Sequence, residues 1–163
     1  MNVVIRKIEE QDYQQVKELF VDLVRKMSEY CPIRREDPLP EYKDWYFQKV
    51  VSSLEKGTGI IGVSEVEGNI VGCIYGCVRD QTKEELLEYK KIIFGHIPDF
   101  FIKDGYRGQG IGKRLLQFAE DFLMEKKCDY IELSVRTRNT RAHKFYVELG
   151  YEDDFVEMLK KCK

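Results

Sequence analysis

The sequence has few of the residues that build metal sites and disulfide frameworks. Its 163 residues include only five cysteines and two histidines, and no two cysteines stand in a C-x-x-C spacing. A structural zinc site takes four ligands from such groups, and an odd number of scattered cysteines does not form a paired framework. We therefore expect no metal, and unpaired cysteines of this kind are typical of the reducing cytoplasm.

An excess of basic charge and long apolar runs are also lacking. The chain has 27 Lys and Arg against 29 Asp and Glu, a formal net charge of -2, so it has no general attraction for nucleic acid. Its apolar runs are too short to span a membrane, and the opening residues MNVVIRKIEE lack the apolar stretch of a signal peptide. These absences predict a cytoplasmic protein that binds neither nucleic acid nor membranes.

The composition that remains is typical of a globular domain. Hydrophobic residues make up 43% and charged residues 34% of the chain, and the length suits one domain over residues 1–163. The hydrophobic periods and the turn residues predict the element order βααβββαβαβ, an α/β domain with a mixed sheet. The last predicted strand is YEDDFVEMLKK, residues 151–161, and residues 80–91 are predicted to be a polar connection.

Two local signals refine the predicted strands. Gly68 and Asn69 separate two apolar runs and predict a hairpin. Pro98 lies inside the long apolar run at residues 92–102, and proline cannot donate a hydrogen bond to a neighbouring strand. A bulge or a splayed edge is therefore expected at this proline.

The stretch GYRGQGIGKRLL, residues 105–116, places three glycines at every second position between a predicted strand and a predicted helix. Backbone N–H groups in the first turn of a helix have no intrahelical partner, and the helix dipole favours an anion there. Glycines let an oxygen-rich group approach without meeting a Cβ. The turn therefore predicts a phosphate site, with Arg107, Lys113 and Arg114 adding positive charge around it.

Two common nucleotide motifs do not fit this turn. A dinucleotide fingerprint requires a third glycine where this chain has Lys113, and a P-loop requires Ser or Thr after the lysine, where this chain has Arg114. The pattern Arg107-x-x-Gly110-x-Gly112 instead resembles the acyl-CoA pyrophosphate loop of the GNAT (Gcn5-related) N-acetyltransferases.

A second motif of that family follows in the right order. The segment NTRAHKFYVELGY contains the residues that match it, namely Asn139, Ala142, Phe145, Tyr146, Gly150 and Tyr151. The resemblance is tightest over residues 92–151, although Asp104 and Gly105 stand where the family often has proline and a polar residue. It implies a single-domain GNAT fold, in which a mostly antiparallel central sheet is flanked by helices and its strands splay at the acyl-CoA site.

The resemblance also implies the cofactor-binding residues. The backbone of the glycine turn would hold the pyrophosphate of acetyl-CoA, and backbone groups of the preceding strand would pair with pantetheine, with the N–H of Ile102 donating to the thioester carbonyl. Asn139 would bind pantetheine or the backbone, or serve only as a helix N-cap. The implied set is Phe100, Phe101, Ile102, Arg107, Gly108, Gln109, Gly110, Ile111, Gly112, Lys113, Asn139 and Tyr146.

Two residues are candidates for catalysis. Tyr146, the tyrosine of the family motif, is the candidate general acid for the leaving thiolate, although it would also serve to pack a helix on the sheet. Asp99, on the strand before the glycine turn, is the candidate base for the amine. Glu132, His96 and an ordered water relay remain as alternatives to Asp99.

The resemblance implies an acetyl-CoA-dependent N-acetyltransferase that acts on a primary amine of a small molecule or peptide, as a homodimer. The run IPDFFIKDGYRGQGIG also resembles spermidine/spermine N-acetyltransferases, but it describes cofactor binding and not the acceptor. Acidic residues between the first two helices would suit a cationic acceptor, or they are ordinary solvated charges: Glu29, Glu36, Asp37, Glu41 and Asp44. The alternative function is a non-catalytic acyl-CoA-binding sensor.

Overall fold

Five strands form one sheet whose order follows the chain. A computed structural model describes residues 2–31, 33 and 37–162, and its strands are β1 (Val4–Lys7), β2 (Gly59–Val66), β3 (Asn69–Arg79), β4 (Phe94–Ile102) and β5 (Tyr130–Leu133). Strands β1 to β4 pair antiparallel, and β5 pairs parallel to β4. The predicted mixed, mostly antiparallel sheet is confirmed.

Helices cover both faces of this sheet. They are α1 (Tyr13–Tyr30), α2 (Tyr42–Glu55), α3 (Lys83–Glu88), α4 (Ile111–Glu125) and α5 (Thr140–Glu148). On one face, which we call the α1/α2 face, α1 packs against β3 and β4 and α2 packs against β2. On the opposite α4 face, α4 packs against β1 to β4. Each face has its own buried apolar core.

Short polar sequences account for two differences from the prediction. The polar connection at residues 80–91 contains α3, because Thr82 and Glu85 cap its start reciprocally through their side chains. The hairpin between β2 and β3 turns one residue earlier than predicted, at Glu67 and Gly68, which both have positive φ.

The last predicted strand is wrong. Residues 152–162 have no regular secondary structure and are exposed along their whole length. A strand is stable only when it pairs with a neighbour and buries a face. Within the described chain, this segment lies along no sheet edge, so its apolar residues give it no reason to be extended and paired.

Strand β4 has the predicted bulge at its proline. Tyr75 of β3 is paired with Asp99, whereas Cys77 is paired with His96. Three steps along β4 therefore match two steps along β3, and the extra residue lies between His96 and Asp99. A bulge of this kind inverts the alternation of side chains along its strand.

The bulge decides which side chains of β4 reach which face. Ile97 before it and Phe100 and Ile102 after it all pack in the core on the α4 face. Phe101 packs in the core on the α1/α2 face, and Asp99, two residues earlier, faces the same way. The end of β4 therefore presents a carboxylate to one face and apolar side chains to the other.

The parallel pairing of β4 with β5 stops at the same place. Phe94 to Ile97 pair with Tyr130 to Leu133, and among the described residues no strand continues this pairing. Residues 99–102 are consequently paired with β3 on one side and open on the other. The predicted splayed edge is present.

Close packing of α4 on the sheet depends on Gly95, which yields a stability prediction. A Cβ on Gly95 would lie 2.8 Å from Cδ1 and 3.1 Å from Cβ of the fully buried Leu123. We expect Gly95→Ala to lower the free energy of unfolding by about 1–3 kcal/mol, because the helix must shift. Gly76→Ala is the matched control, since its Cβ would meet Ala119 at an ordinary 3.5 Å. Urea unfolding measures both changes, and an equal loss in the two variants would contradict this interpretation.

Candidate functional site

A cleft opens along the unpaired end of β4. It has a volume of about 540 Å³ and lies between the second half of α1, residues 100–102 of β4, the glycine turn and α5. Of the implied cofactor-binding set, the cleft is lined by Phe100, Phe101, Ile102, Arg107, Gly108, Gly110, Gly112, Lys113, Asn139 and Tyr146. Gln109 and Ile111 do not line it: the side chain of Gln109 donates to the Gly105 carbonyl, and that of Ile111 is buried in the core.

Alternate backbone groups of β4 face the open edge. The N–H of Lys103 donates to the Val71 carbonyl at 2.8 Å, which makes Gly72 and Ile102 a non-hydrogen-bonded pair of the antiparallel ladder. The N–H of Ile102, and that of Phe100 two residues earlier, therefore point away from β3 and toward the cleft. Phe101 directs its backbone groups toward β3, so it contributes to the cleft through its ring.

The glycine turn presents a row of backbone N–H groups at the start of α4. Gly105, Gly108 and Gly110 have φ values of 90°, 81° and 78°, a conformation that other residues rarely adopt. The first helical hydrogen bond runs from the N–H of Arg114 to the Gly110 carbonyl at 3.3 Å. The N–H groups of residues 108–113 have no partner among the described residues, and the dipole of the 15-residue α4 adds positive potential there.

Gly112 has a different reason to be glycine. Its φ is not positive, but a Cβ would lie 3.4 Å from the side chains of Phe100, Ile102 and Phe145. The missing side chain leaves space between the β4 edge, α4 and α5. This is the position where a longer side chain would fill the cleft.

Two of the basic residues of the turn bond to other parts of the protein, and the third is available to a ligand in the cleft. Arg107 donates through Nε to the Ile102 carbonyl at 2.8 Å and pairs with Asp104 at 2.8 Å, so it fixes the turn against the end of β4. Arg114 donates to the Val3 carbonyl, away from the cleft. Lys113 lines the cleft with no carboxylate partner in the described part of the chain.

Arg141 is a cleft residue that the sequence did not single out. Its guanidinium lies 3.9 Å from the position that a Cβ of Gly108 would take, and it too lines the cleft without a described carboxylate partner. Its place two residues after Asn139, in the first turn of α5, was the only available signal. Leu23, Lys26, Met27 and Tyr30 of α1 also line the cleft, and no local motif marked them.

Helix α5 carries the two remaining motif residues. The side-chain oxygen of Asn139 accepts from the N–H of Ala142 at 3.2 Å and caps the helix, which leaves its amide NH₂ for other contacts. The Tyr146 ring packs against Phe100 and Tyr151. Burial raises the pKa of Tyr146 to about 12, so its hydroxyl is protonated at neutral pH, and that hydroxyl has no hydrogen-bond partner among the residues described.

Asp99 is not part of the cleft lining. Its carboxylate is 6% exposed and accepts a hydrogen bond from the hydroxyl of Tyr46 on α2. Burial raises the pKa of Asp99 to about 6, and the Tyr46 hydrogen bond partly opposes that rise. The structure thus places Asp99 beside the edge that lines the cleft, but on its α1/α2 side.

The other candidate bases lie farther toward the start of β4. Glu132 accepts from Nε of Arg79 at 2.7 Å and lies 3.3 Å from Nδ1 of His96. Burial lowers the pKa of His96. Glu132 and His96 lie on the same face of the sheet as Asp99. The ion pair with the permanently charged Arg79 makes Glu132 less available to accept a proton from a substrate. Glu36 lies outside the described residues.

Over residues 2–31, 33 and 37–162, no cluster of three or more His, Cys, Asp or Glu side chains could hold a metal ion. In the same residues, each helix is too short or too polar to cross a bilayer.

Comparison with known proteins places the chain among acetyltransferases. The family model described as the Acetyltransferase (GNAT) family matches residues 17–151. An uncharacterized N-acetyltransferase from Archaeoglobus fulgidus is 30% identical over 142 residues, which are 87% of this chain and 88% of that protein.

Solved structures show the same fold at lower identity. A mutant of the BH1408 protein from Bacillus halodurans superposes with a TM-score of 0.81 at 21% identity, covering 98% of this chain and 99% of that one. Aminoglycoside N-acetyltransferase AAC(6')-Iy, in complex with CoA, superposes with a TM-score of 0.72 at 15% identity, covering 99% and 96%.

The buried carboxylate predicts a characteristic dependence of stability on pH. Because the pKa of Asp99 is about 6 in the folded chain and ~3.9 in an unfolded one, the folded state binds the extra proton between these values. The stabilisation that this proton gives the folded state is complete below pH 4 and is lost as the pH rises through 6. Asp99→Asn retains an acceptor for Tyr46 but has no carboxylate to titrate. We expect its unfolding free energy, relative to that of wild type, to rise by about 2–3 kcal/mol as the pH is raised from 4 to 7.

Urea unfolding across this pH range measures the difference. Asp80→Asn, at an exposed position, is the matched control and should run parallel to wild type. A difference between Asp99→Asn and wild type that does not change with pH would contradict the raised pKa.

Proposed function

The chain belongs to the GNAT acetyltransferase family, and we propose that it transfers the acetyl group of acetyl-CoA to a primary amine of a small molecule or peptide. One observation carries this proposal. Gly108, Gly110, Gly112 and Lys113, whose N–H groups are unpartnered among the described residues, line the same cleft as the open edge of β4. These two features suit the two ends of one extended ligand, an anionic pyrophosphate and an amide-bearing arm.

The chain's own groups would hold the donor in the following way. The N–H groups of the glycine turn would bind the pyrophosphate, with Lys113 and Arg141 supplying positive charge. Phe100 and Ile102 would pair with the pantetheine amides as one strand pairs with another. The free amide NH₂ of Asn139 would add a donor from the opposite wall.

The reaction then needs an acid, a base and a donor for the carbonyl oxygen. The amine nitrogen forms a bond to the acetyl carbon as the carbon–sulfur bond breaks, and the Ile102 N–H would stabilise the negative charge on the carbonyl oxygen. Tyr146 would donate a hydrogen bond, and finally a proton, to the leaving sulfur, and the second proton that the nitrogen loses on becoming an amide would restore the tyrosine through solvent. An ammonium substrate has a pKa of ~10.4, so its proton must leave before the attack.

We propose Asp99 as the acceptor of that proton. Its raised pKa brings it closer to the working pH of a base than an exposed carboxylate. Because Tyr46 bonds to Oδ2 of Asp99, the proton would arrive at Oδ1 or through the Tyr46 hydroxyl. Attack would then come from the α1/α2 face, where Asp99 lies, with the donor along the open edge of β4.

A second function, acyl-CoA binding without turnover, is supported by one observation. Asp99 does not line the cleft that would hold the donor, so the proposed base depends on an acceptor route on the other face. We also propose that the protein is a homodimer. Its five free cysteines suit the reducing cytoplasm, which we propose as its compartment.

Thiol release from acetyl-CoA tests the proposed function. We expect the purified protein to release CoA with at least one class of a panel of polyamines, aminoglycosides, amino acids and peptides with lysine or a free N-terminus. Gly112→Leu should abolish acetyl-CoA binding, measured by calorimetry, because its side chain fills the space beside Phe100 and Phe145. Gln117→Leu, on the exposed side of the same helix, is the control. Tight binding without release for any amine would favour the sensor, and unchanged affinity in Gly112→Leu would contradict the site.

Replacement of Tyr146 separates its two possible roles. Tyr146→Phe keeps the ring that packs on Phe100 but loses the hydroxyl, so we expect kcat to fall by about 10²- to 10⁴-fold while the Kd for acetyl-CoA changes little. Tyr151→Phe is the matched control, because the Tyr151 hydroxyl bonds to Glu120 and not into the cleft. A parallel loss of kcat and affinity would indicate a packing role for Tyr146.

A further inference from the structure

Three aromatic rings contact one another at the start of α2. Tyr42 and Tyr46 stack with their ring centroids 5.4 Å apart and their planes at 7°. The Trp45 ring lies 6.4 Å from each of them. Phe20 of α1 meets the Tyr46 ring edge-on at 5.5 Å, so the inner end of this group is fixed against α1. We call Tyr42, Trp45 and Tyr46 the α2 aromatic cluster.

The α2 aromatic cluster leads from solvent to the proposed base. Trp45 is 56% exposed, Tyr42 and Tyr46 are half-buried, and the hydroxyl of Tyr46 donates to the buried Asp99. Exposure therefore falls in steps from Trp45 to Asp99. One hydrogen bond and two contacting rings separate the Trp45 ring from the carboxylate, a distance of about 10 Å.

The outer ring of the cluster already holds an ammonium group. Nζ of Lys49 lies 4.5 Å from the centroid of the Trp45 ring, and Lys49 has no carboxylate partner in the described part of the chain. The ring itself therefore attracts the ammonium, and tryptophan is the aromatic side chain that does so most strongly. Because Lys49 is exposed and its long side chain is flexible, another cation can take its place on the ring.

The charges at the start of α2 also favour a cation. Lys43 pairs with Glu18 at 2.8 Å. Asp44 pairs with Lys17 at 2.7 Å. Glu41, which precedes the helix, is exposed and has no basic partner among the residues described. The first turn of α2 is thus left with an uncompensated negative charge.

We propose that the acceptor is a linear alkyl diamine or polyamine, whose second ammonium group replaces that of Lys49 on the Trp45 ring while its reacting amine lies at Asp99. This inference rests on the proposed acetyl transfer and names the acceptor class. A separation of about 10 Å between the two nitrogens corresponds to an extended chain of about seven or eight intervening atoms. Its methylene groups would lie along the tyrosine rings of the α2 aromatic cluster.

Two amines of one chain length test the second contact. 1,8-Diaminooctane and 1-aminooctane offer the same chain and the same reacting amine, but only the first has a second ammonium group. We expect kcat/KM for acetyl transfer, measured by thiol release, to be about 3- to 30-fold higher for the diamine. Trp45→Ala should remove this preference by raising the KM for the diamine, and Trp45→Phe should retain part of it.

Two further variants make the test specific to the Trp45 ring. Lys49→Met removes the competing ammonium, so it should lower the KM for the diamine by a larger factor than the KM for the monoamine. Tyr89→Ala removes a ring that is 62% exposed and lies outside the α2 aromatic cluster, and it should keep the wild-type preference.

Calorimetric binding of the two amines separates this inference from the proposed function. We expect the diamine to bind more tightly than the monoamine to wild type, but not to Trp45→Ala. Equal kcat/KM for the two amines would overturn the diamine acceptor and leave acetyl transfer in place. If no amine releases CoA, acetyl transfer fails and binding decides: equal affinities would overturn the diamine site, whereas a preference that depends on Trp45 would support it.

Discussion

The bulge in β4 is the constraint on which the rest of the site depends. One extra residue between His96 and Asp99 ends the pairing with β5 and inverts the side-chain alternation in the same step. The first effect exposes the backbone N–H groups of Phe100 and Ile102 along an open edge. The second effect sends Asp99 to the α1/α2 face and leaves the apolar side chains of Phe100 and Ile102 on the α4 face. A regular strand at this position would give neither the edge nor the division of polar and apolar groups.

The glycine turn is positioned by that same edge. Arg107 holds the Ile102 carbonyl and Asp104 together, so the first N–H groups of α4 start a fixed distance from the end of β4. A guanidinium with its donors engaged in this way acts as part of the scaffold, and a ligand would meet its remaining charge only indirectly. The potential for an anion therefore comes chiefly from backbone groups and the helix dipole, which no single side-chain substitution can remove.

The parts of the fold and site that the sequence predicted are those set by local chemistry. Proline in a strand, glycines with positive φ and amphipathic helices act within a few residues, so the bulge, the turn and α1 followed from their own sequences. The roles of Arg107 and Arg141 were not predictable, because each is decided by a contact with a residue that another element brings near. The segment after Tyr151 shows the opposite case, in which apolar residues predicted a strand but it joins no sheet of the described residues.

The division of β4 between two faces has a consequence for how two substrates would meet. A donor bound along the open edge as proposed would place its reactive carbon near the backbone of Ile102, while an amine that approaches from the α1/α2 face would reach Asp99 there. The proposed acid, Tyr146, and the proposed base, Asp99, would then be separated by the strand itself. Such a separation keeps the proton that enters the leaving thiolate apart from the proton that leaves the amine, and it allows the pKa of each group to be set by its own surroundings. Burial among the rings of Phe100, Phe145 and Tyr151 raises the pKa of Tyr146 to about 12, and burial beneath α2 raises that of Asp99 to about 6. At neutral pH these two shifts leave the tyrosine protonated and most of the carboxylate ionised, which are the protonation states that a donor to sulfur and an acceptor from nitrogen require.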